Sequence, residues 1–66
     1  MQYNKIMKDL REDNDLTQKQ IAKVLNIKHQ QYSRYEKGDT ELPIHYLIQL
    51  ADFYHVSTDY LLGREQ

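Results

Sequence analysis

Three histidines, ten carboxylates, six tyrosines and a short run of amides with one guanidinium are the groups this 66-residue chain has for chemistry, because it contains no cysteine. His29, His45 and His55 do not fall at a ligand spacing such as H-x-x-x-H on one helix, so no metal site is assigned. The lack of cysteine also removes a disulfide scaffold and thiolate ligands. No acid and base paired in a concave site can be argued from so few residues, and a cleft between domains needs a longer chain, so no catalytic residue and no cofactor is assigned. What remains is the stretch KHQQYSRYEK over 28–37. Its side chains suit hydrogen bonding to flat polar edges: a glutamine amide pairs bidentately with adenine, an arginine guanidinium with guanine, and a serine hydroxyl with either.

A polar helix face is more often a solvated surface than a binding surface, and composition alone favours that plainer reading. The whole-chain charge of -1 and a pI near 6.2 also argue against a polyanionic partner. Resolved along the chain, the charge is segregated. Residues 16–38 hold Lys19, Lys23, Lys28, Arg34 and Lys37 against Glu36 alone, a local +4. Residues 39–63 hold Asp39, Glu41, Asp52 and Asp59 and no Lys or Arg, a local -4. One basic and one acidic half is the distribution expected where a single side approaches nucleic acid. The tyrosines suggest base stacking. However, Tyr3, Tyr32, Tyr35, Tyr54 and Tyr60 sit in the apolar register, which predicts core packing with the hydroxyls at the surface and leaves Tyr46 exposed.

The elements that must position these residues read as helices throughout. Tyr3, Ile6, Met7 and Leu10 recur at i, i+3, i+4 and i+7 and predict a first helix over Gln2–Asp13, ended by the polar run at 12–15. Leu16 turns back inward, and Thr17 with Gln20 forms a capping-box pair that opens a second helix burying Ile21, Ala22, Val24 and Leu25. Asn26 is placed to take the left-handed conformation of a tight turn. A third helix is predicted from about Lys28 to Lys37, with Tyr32 and Tyr35 inward and Gly38 as its C-cap. Pro43 suits the first turn of a fourth helix with Ile44, Leu47, Ile48, Leu50 and Ala51 inward and Tyr54 beyond. Ser57 caps a short fifth helix, Thr58–Leu62, stopped by Gly63. No alternation of period two predicts a strand. The fold class is therefore all-α: five short helices in one domain spanning 1–66. Apolar runs of two or three residues leave neither a membrane span nor a secretory segment, which predicts a cytoplasmic protein.

The unit TQKQIAKVLNIKHQQYSRYEKG, residues 17–38, is a capped helix, a three-residue turn and a helix polar on its outer side, the pattern of a helix-turn-helix. It resembles the Cro and lambda-repressor type of helix-turn-helix regulators, also called XRE-like. The resemblance covers nearly the whole chain and is highly specific. LREDNDLTQKQIAKVL is similar to that family's first helix and its leucine-threonine-glutamine entry. SRYEKG is similar to its serine-arginine-aromatic-glutamate-x-glycine ending, and LPIHYLIQLADFYHVSTDYLLG to its fourth and fifth helices. Two positions depart from the pattern. Asn26 stands where the family often has glycine, and Lys28 stands where it often has a serine or threonine cap, which removes a cap of ~1 kcal/mol but adds a cation.

The resemblance implies a compact lambda-repressor-like domain whose third helix lies in the DNA major groove. His29, Gln30, Ser33 and Arg34 match its base-reading positions. Gln18, Lys28, Gln31 and Lys37 match positions at the phosphate backbone or groove rim, which add affinity more than sequence preference. Arg11 and Glu36 match a structural pair tying the first helix to the end of the recognition helix. The function implied is a transcriptional regulator, expected to be a repressor of prophage-like type that binds a palindromic operator as a homodimer, with double-stranded DNA as partner. The alternative is a protein-interaction module, antitoxin-like or anti-repressor, that uses the acidic face of the last two helices with Leu61 or Leu62 exposed beside it.

Overall fold

The computed structural model describes residues 2–64, and within them the chain forms α1 (Gln2–Asp13), α2 (Gln18–Leu25), α3 (His29–Lys37), α4 (Ile44–Tyr54) and α5 (Thr58–Leu61), with no strand among the described residues. The boundaries follow from local hydrogen bonding. The Asn14 side-chain amide donates to the Leu10 carbonyl at 2.7 Å, and Asp15 turns left-handed at φ 56°, so the chain leaves α1 and returns through Leu16. At the start of α2, the Thr17 hydroxyl accepts from the Gln20 amide at 3.1 Å while the Gln20 side chain accepts from the Thr17 amide at 2.8 Å. Two otherwise orphaned N–H groups are satisfied reciprocally. Asn26 ends α2 in the left-handed region at φ 60° and ψ 44°. That conformation lets the Ile27 amide reach back to the Ala22 carbonyl at 2.9 Å, closing the helix in a Schellman arrangement.

Gly38 closes α3 in the same way, at φ 83°, with the Asp39 amide bonded to the Arg34 carbonyl at 3.0 Å. A Cβ at Gly38 would collide with the side-chain amide of Asn4 on α1. Gly38→Ala is therefore expected to lower stability by about 1–3 kcal/mol, combining left-handed strain with displacement of Asn4, as read from the midpoint of urea unfolding. Pro43 occupies the N-cap position immediately before α4 rather than its first turn. The Ser57 hydroxyl accepts from the Tyr60 amide at 2.9 Å and caps α5, which ends at Leu61 with Leu62 as C-cap.

All five helices contribute to one core: Tyr3 and Met7 from α1, Ile21, Ala22 and Leu25 from α2, Tyr32 and Tyr35 from α3, Leu47, Leu50 and Ala51 from α4, and Leu61 from α5. Leu16, Ile27, Leu42 and Val56 from the connections pack against it. Several side chains depart from the inward positions that periodicity predicts. Val24 is 41% exposed, Ile44 72% and Ile48 46%, because they sit on the flanks of their helices, where none of the five described helices covers them. Tyr60 is also exposed, whereas Tyr46 packs against the core, its ring 6.0 Å from that of Tyr35 and 4.0 Å from His45. Leu61 is wholly buried, so of the two leucines expected beside the acidic face only Leu62 is exposed. The tyrosine hydroxyls do not all reach the surface: those of Tyr32 and Tyr54 are buried. Burial pushes the Tyr32 phenol up out of the range in which it could ionise, and pushes Tyr54 up to about 12. The Tyr3 hydroxyl accepts from the Leu42 amide at 3.2 Å and pins the loop after α3 to α1.

Candidate nucleic-acid interface

α2 and α3 are joined by Asn26, Ile27 and Lys28, and the left-handed Asn26 turns α3 sharply across α2. The inner side of α3 is fixed by burial of Tyr32, Tyr35 and Glu36. Residues 29, 30, 33, 34 and 37 therefore share the outer side, since positions three to four apart lie over one another on a helix. The structure brings His29, Gln30, Ser33, Arg34 and Lys37 together around an open groove of about 290 Å³, whose sixth lining residue is Asp39. Gln30, Arg34 and Lys37 are exposed there, and His29 and Ser33 are half-buried. Lys28 is exposed at the N-cap of α3 and makes no side-chain cap bond. Gln31 does not line the groove; its amide donates along the helix to the Tyr35 hydroxyl at 2.8 Å. Asp39 is the residue that sequence reasoning missed. Its position directly after the C-cap glycine was the available signal, because a Schellman turn holds the following residue against the last turn of the helix.

Beneath the groove runs a hydrogen-bonded chain linking three helices. Arg11 of α1 donates from Nε to one Glu36 oxygen at 2.9 Å and from Nη2 to the other at 3.0 Å, and its Nη1 donates to the Leu16 carbonyl at 2.9 Å. The Glu36 side chain is 4% exposed and that of Arg11 12%, so the ion pair is largely shielded from water. Gln18 at the start of α2 donates from Nε2 to Glu36 Oε1 at 3.0 Å. The Gln18 carbonyl oxygen is thereby turned to His29, whose Nε2 lies 3.0 Å away. A carboxylate only accepts, so the amide nitrogen must face Glu36 and the amide oxygen must face the histidine, which then donates from Nε2. Gln18, expected at the groove rim, has both ends of its amide engaged within the protein, and through it the first residue of α3 is tied to the buried ion pair. Burial opposes ionisation of Glu36, but Arg11, with smaller contributions from Tyr32 and Gln18, outweighs it and holds the carboxyl below its usual value. The same contact with Glu36 raises Arg11.

Among the described residues no group of His, Asp and Glu is placed to hold a metal ion, and no helix is long and apolar enough to cross a membrane.

Comparison with known proteins places this geometry in context. Residues 7–61 match the sequence profile of the family described as Helix-turn-helix. The chain is 38% identical over 66 residues, all of its length and 52% of the relative's, to the HTH-type transcriptional regulator ImmR of Bacillus subtilis (strain 168). It is 36% identical over 61 residues, 92% of its length and 54% of the relative's, to the uncharacterized HTH-type transcriptional regulator YobD of the same organism. The chain thus spans about half the length of the curated relatives it matches. A crystal structure of a transcriptional regulator from Listeria innocua superposes with a TM-score of 0.89 at 33% identity, covering 97% of this chain and 60% of that one.

Proposed function

The chain belongs to the XRE-like helix-turn-helix family of DNA-binding transcriptional regulators, and from that membership we propose that it is a repressor that binds a palindromic operator as a homodimer through the groove on α3. The observation that carries this reading is the convergence of His29, Gln30, Ser33, Arg34 and Lys37 on one face of the second helix of the pair. Gln30 and Arg34, exposed and four residues apart, reach base edges in the major groove, the amide toward adenine and the guanidinium toward guanine. Ser33 and the half-buried His29 lie beside them and contact bases at closer range. Lys28 and Lys37, at the two ends of α3, meet phosphates, and Gln18 and Gln31, whose amides are bonded within the protein, act as positioning residues more than as direct contacts. Arg11 and Glu36 keep α3 at its angle to α1. A dimer is needed because half-sites of a palindrome lie about 34 Å apart. The described residues extend 31 Å along their longest axis and carry a single such helix.

In vitro selection of duplex DNA by the purified protein tests the proposal. A palindromic consensus with half-sites one helical turn apart is the expected outcome; a pool that stays random after selection at low salt defeats it. Lys28→Ala is expected to weaken cognate and random duplexes alike and to reduce the slope of log affinity against log salt by about 2, because a dimer loses one phosphate contact and its released counterion in each of its two copies. Titration of labelled duplex over a range of salt concentrations measures both.

A second reading is favoured by the exposed apolar side chains of Ile44, Ile48 and Leu62 on the acidic half of the molecule. A protein partner bound through α4 and α5 would cover them. Retention of such a partner by a Gln30→Ala, Arg34→Ala variant that no longer binds DNA would assign the two surfaces separately, and dimerisation through the same leucine competes with it.

A further inference from the structure

Asp39 lines the same groove as the five residues of α3, yet it is the one member of the set whose side chain repels phosphate. Its place is not left to a wandering loop. The Asp39 amide is bonded to the Arg34 carbonyl at 3.0 Å across the left-handed Gly38, and three residues later the Leu42 amide is bonded to the Tyr3 hydroxyl. The side chain is exposed, and no ion pair joins it to Arg34 or Lys37. With its backbone held by the turn, Asp39 carries a carboxylate that has no ion-pair partner among the described residues and lines the same groove as the guanidinium that faces the duplex. Glu41 follows it, and no lysine or arginine occurs from 39 to 63, so nothing in this loop offsets the repulsion.

We propose that Asp39 is a specificity-determining residue of the groove, which selects sequences that place a cytosine or adenine amino group opposite it and penalises all other duplex DNA. The inference rests on the DNA-binding reading of α3. A carboxylate brought against DNA loses water and accepts only, so it needs a donor in return. Phosphate oxygens, guanine N7 and O6, adenine N7 and thymine O4 all accept, and the donors that the major groove offers are cytosine N4 and adenine N6. A duplex with an amino group at the right step satisfies Asp39. Any other leaves a desolvated anion facing acceptors, which costs binding even though Arg34 and Lys37 are attracted. Asp39 thus works against sequence-independent affinity and sharpens the ratio between cognate and random sites, the quantity that matters for a regulator searching a genome.

The test compares the full chain with Asp39→Asn and Asp39→Ala, using a cognate duplex selected by the wild type and a random-sequence duplex of equal length, with Lys28→Ala as the reference for a phosphate contact. Both Asp39 variants should bind the random duplex about five- to tenfold more tightly than wild type, while Lys28→Ala binds it more weakly. Repeated selection with Asp39→Ala should lose base preference at one step of each half-site, a step occupied by C or A in the wild-type consensus on the strand facing this loop. Unchanged random-duplex affinity together with an unchanged consensus overturns the role of Asp39 while leaving the DNA-binding reading intact. Failure of the wild type to bind either duplex overturns that reading, and this inference with it. A thermal melt coinciding with the wild type's separates these outcomes from misfolding.

Discussion

Arg11→Met is expected to destabilise the protein by ~3 kcal/mol at neutral pH, the lower end of what removing one partner of a buried ion pair costs. The full range for such pairs is ~3–5 kcal/mol, and the lower end applies because Arg11 keeps some contact with water. A 66-residue chain has a total stability of only ~3–10 kcal/mol, so the variant should lie near its unfolding threshold at 25 °C. The reason lies in what Arg11 leaves behind. Glu36 stays buried between α1 and α2 with Gln18 as its remaining donor, and one neutral amide does not replace a bidentate guanidinium. The pairing also carries geometry, since the same guanidinium bonds the Leu16 carbonyl and so holds the turn that delivers Thr17 to its cap. Loss of Arg11 should accordingly loosen the entry to α2 as well as the end of α3. A double variant, Arg11→Met with Glu36→Leu, should recover a large part of the loss, because a well-packed apolar pair avoids the buried charge altogether. Urea unfolding of the three proteins decides the matter: equal stability for wild type and Arg11→Met would mean the ion pair does not hold these helices.

The pH dependence has opposite signs in the two proteins. In the wild type the Glu36 carboxyl is held below its usual value of 4.5, so its contribution is fully present above that pH and is lost as pH falls through the depressed folded value. Without Arg11, burial dominates and the carboxyl is raised instead. Protonation then relieves the folded state, and the variant regains stability relative to wild type as pH falls. The difference between them should be widest near neutrality, begin to narrow above pH 4.5 as the raised carboxyl of the variant protonates, and go on narrowing below 4.5 as the wild type loses its contribution. A gap that stays constant down to acid pH would show that Arg11 acts through packing and not through the charge on Glu36.

Residues that act on their immediate neighbours were legible in the sequence. Thr17 and Gln20 are three apart and cap each other, and Asn26 and Gly38 mark turns that need positive φ, so all five helices are found where side-chain chemistry predicts them. Flank positions were not legible. Ile44 and Ile48 continue the apolar period of α4, but whether a neighbour covers them is a property of the whole packing, and among the described residues none does. Tyr46 shows the converse, off the stripe yet sheltered by Tyr35 and His45. The groove was legible as a set of positions on one helix face, because helical spacing decides which side chains share a side. Two of its features depend on contacts between elements and could not be read from spacing: the link from His29 through Gln18 to Glu36, and the placement of Asp39 by the turn at Gly38.

The second large effect is expected at the duplex itself. Gln30→Ala combined with Arg34→Ala should weaken cognate binding by ~2–6 kcal/mol at each half-site, taking ~1–3 kcal/mol for each bidentate base contact and treating the two as independent. Both side chains are exposed and make no bond within the protein that holds the fold, so the melting temperature should be unchanged. That separates the variant from Arg11→Met, whose effect passes through stability. The form of the loss matters as much as its size. Removing an amide and a guanidinium that read bases should erase preference at two steps of each half-site while leaving random-duplex affinity reduced only by the one charge of Arg34. A palindromic site repeats each contact, so a dimer on two intact half-sites should suffer the loss twice, ~4–12 kcal/mol. A duplex carrying one half-site should show about half the effect in free energy. Equal loss on cognate and random DNA would instead assign Gln30 and Arg34 to the backbone, and would leave His29, Ser33 and Asp39 as the residues of the groove that read sequence.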